Sequence, residues 1–322
     1  MAKNSIFPPV NEMLNTMKTK RSSYVLVTVC LAALLIVSMF VAGCTSNGTT
    51  SISGKTATTA SSTSSAQKQT ITVTGSTTVL PIAQAAADAY MKLHSEANIQ
   101  ISGGGSGAGI QAIGAKTVDI GMSSRDVTKD ELAKYPDFTI ITVAHDGIAI
   151  IVNPQNTIQH ITLDQVNQTY TGKITKWTQI TGANVPGTNN QIVLIGRDSS
   201  SGTRTYFDET VLSKATPVKT MLEQNSNGAV AQSVAQTPGA IGYVSIGFLS
   251  PDVKALPVLM QNGSMVVPGV GTVKDKTYPV SRDLYMITNG EPSGLTRDYI
   301  NFILSADGQK IVADQGYVPV TG

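Results

Sequence analysis

The chain has 322 residues, of which only 14% are charged and 5% aromatic. Its formal charge of +2 comes from the N-terminus: residues 1–44 hold four of the 23 bases and one of the 21 acids, and the rest carries a net charge of about −1. No basic patch remains to hold DNA, RNA or anionic lipid, so a nucleic-acid partner is excluded. The length allows about two domains. Cys30 and Cys44 both lie in the first 44 residues, so the remainder has no disulfide and no thiol nucleophile. His94, His145 and His160 stand singly, without metal-ligand spacing, and read as structural or surface positions.

At the N-terminus, Lys18, Lys20 and Arg21 precede an uncharged run of 19 residues, Val25 to Gly43. Such a run nearly spans a bilayer as a retained anchor, or serves as an export signal. It ends in Val41-Ala42-Gly43-Cys44, which resembles the lipobox of exported lipoproteins, where the cysteine becomes the lipidated first residue. The small residues directly before Cys44 favour that reading, with residues 1–44 as signal segment and the rest held at the outer face of the cell membrane. Met17 heads a compact basic start and is a candidate initiation site. Residues 45–69 are dominated by Ser, Thr, Gly and Ala, with Ile52 the only large apolar residue, and read as a flexible tether.

From Thr70 onward, short β-branched runs (TITVTG, NIQISG, TVDIGM, QIVLIG, AIGYV, YPVSRDLYMIT) alternate with helix-period stretches. Ile82, Ala85, Ala86, Ala89, Tyr90 and Leu93 fall on one predicted helix face. Strands alternating with helices imply α/β layers with mainly parallel sheets. The size of the folded part implies two lobes. The long run TIITVAHDGIAIIVN, 139–153, is interrupted only by His145-Asp146-Gly147 and suits a strand crossing between them. The expected division is lobe I at 70–146 and 251–322, and lobe II at 147–250.

Three strand-to-helix junctions share one chemistry. Thr74-Gly75-Ser76-Thr77-Thr78 precedes a helix entered near Pro81, and Ser102-Gly103-Gly104-Gly105-Ser106-Gly107 precedes one from about Ala108 to Ala115. RDSSSGTRTYF, 197–207, places Arg197, Ser199, Ser200, Ser201, Gly202 and Thr203 ahead of a third. A helix N-terminus offers unpaired amides and a partial positive charge, glycine admits close approach, and hydroxyls add neutral donors. Each junction alone reads equally as a capped surface turn; together with one arginine they suggest an oxyanion seat. A Walker loop lacks its Gly-Lys-Ser/Thr end, Gly103, Gly105 and Ala108 lack a ribose-binding acid downstream, and Ser106 lacks the second glycine of a nucleophile elbow.

GSTTVLPIAQ, GGGSGAGIQAI, VDIGMSSRDV, HDGIAIIVNP, GKITKWTQI, RDSSSGTRTYF and GAIGYVS occur in an order that resembles the phosphate-binding lipoproteins of ABC-type phosphate importers, across nearly all of 70–322. That resemblance implies the type II periplasmic-binding-protein fold, two α/β lobes joined by crossover strands, with inorganic phosphate in the cleft and an ABC permease as partner. It implies no cofactor, no catalysis and a monomer. Residue by residue, Arg197, Ser201, Gly202 and Thr203 match the family's phosphate loop, and Ser106 the serine of its Gly-rich loop. Ser76, Thr77 and Thr78 match its first helix-capping loop.

The departure is Ser124, where many members carry an aspartate that accepts the phosphate proton. Asp146 is the candidate replacement acceptor, the alternative being a hinge-structural role. A buried carboxylate there would face sulfate with an unmade hydrogen bond costing about 1–3 kcal/mol, more when charged. Asp119 and Asp198 are lesser candidates, read otherwise as a turn partner and as an ion-pair partner of Arg197 or Arg204. Arg125 reads as a second charge on the ligand or as a lobe-locking ion pair, and Trp177 as core packing. Competing functions are a receptor for another oxyanion (sulfate, molybdate, tungstate or a phosphonate), a phosphoester hydrolase using Ser106 or Ser201, or an adhesin or signalling receptor on the same scaffold.

Overall fold

The computed structural model describes residues 68–321. The apolar run, Cys44 and nearly all of the proposed tether lie outside the described residues. The chain begins with β1 (Gln69–Gly75), α1 (Leu80–Leu93), β2 (Ala97–Gly103), α2 (Ser106–Gly114), β3 (Ile120–Ser123), α3 (Lys129–Lys134) and β4 (Phe138–Val152). It continues through α4 (Leu163–Tyr170), β5 (Val193–Arg197), α5 (Gly202–Thr210), β6 (Leu222–Gln224), α6 (Asn227–Gln236) and β7 (Ala240–Ser245). The short strands β8 (Lys254–Ala255), β9 (Val258–Leu259) and β10 (Met265–Val266) follow, then α7 (Val270–Lys274), β11 (Ser281–Asn289), α8 (Gly294–Leu304) and α9 (Ala306–Asp314).

The main strand order is β2-β1-β3-β11-β4-β7-β5-β6. β1 runs parallel to β2 and β3, and β5 parallel to β6 and β7, as βαβ connections require. β4 and β11 are the exceptions, antiparallel to their neighbours. β4 is the crossover expected from its length: Phe138 to Gly147 pair with β11, and Ile148 to Val152 with β7. At the change of partner a side chain on Gly147 would press within 2.7 Å of Val273, so a larger residue would force its neighbours to shift.

Two apolar cores flank this change. One gathers Ile71, Val73, Ile82, Ala86, Ile99, Ile120, Met122, Val143, Leu284, Met286, Tyr299 and Ile303. The other gathers Ile148 to Val152, Tyr170, Trp177, Ile195, Phe207, Val230 and Tyr243. It also takes Val253, Leu256, Val258, Val273, Tyr278 and Val280. The chain therefore returns to the first lobe at β11, not at 251: the segment 253–280 buries its apolar side chains in the second. The C-terminus crosses once more, with Tyr317 in the first core, Val318 in the second and a two-way backbone bridge between His145 and Val318.

Local chemistry accounts for the elements that frame the cleft. α1 has proline in its first turn. Its buried stripe is Ile82, Ala83, Ala86, Ala87 and Tyr90, rotated from the expected face, so Leu93 is 71% exposed at the helix end. α5 is capped by Ser201, whose hydroxyl accepts from the Arg204 amide at 3.2 Å, and α6 by Ser226. Trp177 is fully buried and its indole N–H donates to the Gly239 carbonyl at 3.0 Å, which is the core role expected of it.

Candidate functional site

The three junctions meet. Thr78, after β1, and Thr203, in the first turn of α5, touch hydroxyl to hydroxyl at 3.1 Å. The Ser106 hydroxyl, at the start of α2, lies 3.3 Å from that of Ser124 and accepts from the Ser124 amide at 3.0 Å. A Cβ on Gly202 would stand 2.8 Å from the Ser106 Cβ and 3.0 Å from the Ser124 Oγ. Gly105 and Gly107 pack on Ser200: the Gly107 amide donates to the Ser200 carbonyl at 3.0 Å, and the Ser200 hydroxyl donates to the Gly104 carbonyl at 3.0 Å. The lobes thus face each other across direct hydrogen bonds, with Ser76, Thr78, Ser106, Ser124, Arg197, Ser201 and Thr203 all buried.

What these groups leave unpaired defines the chemistry. The amides of Thr77, Ser106, Gly202 and Thr203 donate to no acceptor among the described residues. The Thr77 hydroxyl is buried without a partner. Ser76 instead serves its own loop, accepting from the Thr78 and Val79 amides at 3.1 and 3.4 Å. Gly75, at φ +134°, lets the β1 end turn against Met122, whose backbone nitrogen would lie 2.9 Å from an added Cβ.

Arg197 is 1% exposed. Its Nε and one terminal nitrogen donate to the carbonyls of Gln224 and Asn225, both at 3.1 Å, and its other terminal nitrogen has no acceptor among the described residues. Burial pushes the Arg197 guanidinium below its ordinary value, opposed by Asp198 and Tyr243, with Arg282 adding to the lowering. Guanidinium nevertheless stays charged in proteins. The arrangement presents donors and positive charge, and these suit an anion.

Asp146 is placed otherwise than as a free acceptor. Its Oδ1 accepts from the Ser245 hydroxyl at 2.7 Å and the Ile246 amide at 3.3 Å; its Oδ2 accepts from Arg282 Nε and Nη2 at 3.0 and 2.8 Å. A carboxylate has about four acceptor positions, and all four are used. Burial pushes the Asp146 carboxyl up, while Arg282, Ser245 and Ile246 pull it down. Within the protein, then, it ties the β4 crossover to Ser245, Ile246 and Arg282.

Arg125 grips Glu131 with two bonds, at 2.7 and 2.8 Å, reinforcing the capping box of α3. Asp119, read as a turn partner, instead accepts from the amide and hydroxyl of Thr72, 47 positions earlier on β1. Asp198 accepts from the Ser200 amide, shares the Ser200 hydroxyl proton with the Gly104 carbonyl, and forms no ion pair with either arginine. Arg204 pairs instead with Asp208 and Glu223.

Two site residues escaped sequence reasoning. Arg282, on β11, donates to Asp146, to the Ser124 carbonyl at 2.8 Å, and to the hydroxyls of Thr203 and Thr78 at 3.0 and 3.3 Å. Asn227, at the start of α6, donates to the Thr78 hydroxyl at 2.9 Å and accepts from the Ser245 amide. Arg282 did leave a signal: in YPVSRDLYMIT it alternates with Val280, Leu284 and Met286, so period two assigns a charge to the buried face.

Two α/β lobes, exchanging strands at a crossover and closing on a ring of inward donors, define a substrate-binding protein of the bilobal receptor class. A family model for the PBP superfamily domain matches residues 58–307. The chain belongs to that superfamily, among its PstS-like phosphate-binding proteins. It is 35% identical over 255 residues to the phosphate-binding protein PstS of Bacillus subtilis, covering 78% of this chain and 81% of that one. The PstS of Pseudomonas aeruginosa is 30% identical, with 76% and 81% covered. Among solved structures, a phosphate ABC transporter substrate-binding protein with bound phosphate from Clostridium perfringens superposes with a TM-score of 0.71. It is 31% identical, and the match covers 79% of this chain and all of that one. An ABC-type phosphate transport receptor from Vibrio cholerae gives 0.62 at 30% identity, covering 77% and 99%.

Proposed function

We infer that this protein is an extracytoplasmic receptor that captures inorganic phosphate between its lobes and delivers it to an ABC permease. The observation that carries this is the set of unpaired donors from three junctions: the amides of Thr77, Ser106, Gly202 and Thr203, the Thr77 hydroxyl and one Arg197 nitrogen. Ser76, Thr77, Thr78, Ser106, Ser124, Arg197, Ser201, Gly202 and Thr203 form the walls of the phosphate site, with Ser76 and Ser201 acting mainly on their own loops. Binding stabilises the closed arrangement by its extra affinity for that form.

The protein works as a monomer, tethered by lipid on Cys44, and performs no catalysis. A hydrolase needs a general base at its serine, and among the described residues the hydroxyls of Ser106 and Ser201 have only Ser124 and the Arg204 amide within hydrogen-bond distance. Calorimetric titration of residues 68–322 with phosphate tests the reading: tight binding supports it, and no phosphate heat refutes it. Mass spectrometry of the mature N-terminus tests lipidation of Cys44, and an unmodified Cys44 in the membrane fraction refutes it.

A further inference from the structure

The buried pair Asp146–Arg282 has a consequence for which form of the ligand the cleft accepts. Thr78 belongs to the first lobe and Thr203 to the second, so their contact exists only where the lobes meet. Two hydroxyls carry four lone pairs and two protons. Asn227 Nδ2 fills one lone pair of Thr78 at 2.9 Å. Arg282 Nη2 directs one N–H at Asp146 Oδ2, 2.8 Å away, and the other is shared by Thr203 at 3.0 Å and Thr78 at 3.3 Å. The 3.1 Å bond between the hydroxyls fills the fourth lone pair and consumes one proton. Thr78, with both lone pairs already filled, gives that proton to Thr203, and the Thr203 proton has no acceptor among the described residues.

We propose that Arg282, held by Asp146, is a positioning residue that fixes the Thr78–Thr203 pair as a pure donor toward the ligand, so that the cleft selects phosphate through its unprotonated oxygens. This rests on the phosphate-receptor reading above. Asn and Arg side-chain nitrogens donate only, so neither can reverse the polarity of the pair. Asp146, with every acceptor position taken, aims the guanidinium and does not receive the phosphate proton; a proton on the ligand falls to the Thr77 hydroxyl or the Ser106–Ser124 pair. The dianion, with more bare oxygens, is the better ligand.

The charged and titratable groups around Arg282 are Asp146 on β4, Arg197 at the end of β5, Tyr206 on α5 with its ring 5.9 Å away, Tyr278 before β11 and Tyr317 after α9. Burial raises all three tyrosines, which stay neutral. His145 and Asp283, bonded at 2.6 Å, sit one register position further along the same strand pair.

The test is calorimetric titration of phosphate at pH values on both sides of its second ionisation, on the wild type, Arg282→Lys and the double variant Asp146→Asn with Arg282→Gln. Each is run with and without His145→Gln, which removes the imidazole bonded to Asp283 beside this pair. Lysine cannot reach Asp146, Ser124 and both hydroxyls together. The double variant removes both charges at once and keeps the fold if the single one does not; circular dichroism verifies folding. Wild-type affinity is expected to rise as phosphate loses its second proton. In the variants the freed lone pairs let the hydroxyls accept, so the rise flattens and dianion binding weakens about ten- to a hundredfold. Folded variants with the wild-type pH profile overturn this inference alone. A wild type that binds no phosphate overturns the receptor reading and this inference with it.

Discussion

Gly202→Ala separates closure from folding. Gly202 opens α5 in the second lobe, and the atoms that a Cβ would meet belong to the first: the Ser106 hydroxyl, the Ser106 Cβ at 2.8 Å and the Ser124 Oγ at 3.0 Å. The serine hydroxyl can rotate aside, but its Cβ is fixed to the first turn of α2, so relief requires the lobes to part. Overpacking of this kind costs about 1–3 kcal/mol, and here the cost falls on the closed form alone. Helical backbone suits alanine at least as well as glycine, so neither lobe by itself loses stability. Phosphate affinity is therefore expected to fall roughly five- to 150-fold, while the melting temperature without phosphate stays at the wild-type value. Calorimetry and thermal unfolding, each with and without phosphate, give the two readouts. Wild-type affinity in Gly202→Ala would refute the closed packing of Ser106 on Gly202, and a lowered phosphate-free melting temperature would refute the assignment of the cost to closure.

The remaining predictions divide between binding and stability. Gly75→Ala meets Met122 and Gly109 within its own lobe at φ +134°, so thermal unfolding should fall by about 2–4 °C for each kcal/mol of strain, with or without phosphate. Thr77→Val replaces the buried hydroxyl that has no partner; phosphate affinity should drop while the phosphate-free melting temperature holds or rises, and unchanged affinity would take Thr77 out of the site. Asp146→Asn should destabilise by about 3–5 kcal/mol by leaving Arg282 uncompensated, read as a lower urea midpoint. Although burial pushes the Glu131 carboxyl up, its bonds from Arg125 and Thr128 hold it below the ordinary value. Its contribution is therefore present above the unfolded pKa and lost as pH falls through the folded one. Glu131→Gln should lower the melting temperature at neutral pH, converge with wild type in acid, and leave phosphate affinity unchanged.

The sequence by itself determined what local chemistry governs. Alternating β-branched and helix-period runs specify α/β layers, and the length of 139–153 marks it as a crossover strand. Gly, Ser and Thr at three strand ends produce helix starts with free amides, because capping and close approach depend on residues a few positions apart. The junctions that carry Ser106, Arg197 and Thr203 were legible for that reason. The tertiary structure decided everything that depends on residues distant in the chain. Asp146 looked available until Ser245 and Arg282, 99 and 136 positions away, took its oxygens. Arg125 is a local exception: read as a charge on the ligand or a lobe-locking ion pair, it pairs with Glu131 only six positions on, at a helix start. The return point to the first lobe moved from 251 to β11 because 253–280 found its apolar neighbours in the second core. Asn227 gave no local signal, since a single amide at a helix start has many uses. A hydrogen bond satisfies a group from any sequence distance, so which polar side chains remain open to a ligand is settled only when the lobes meet.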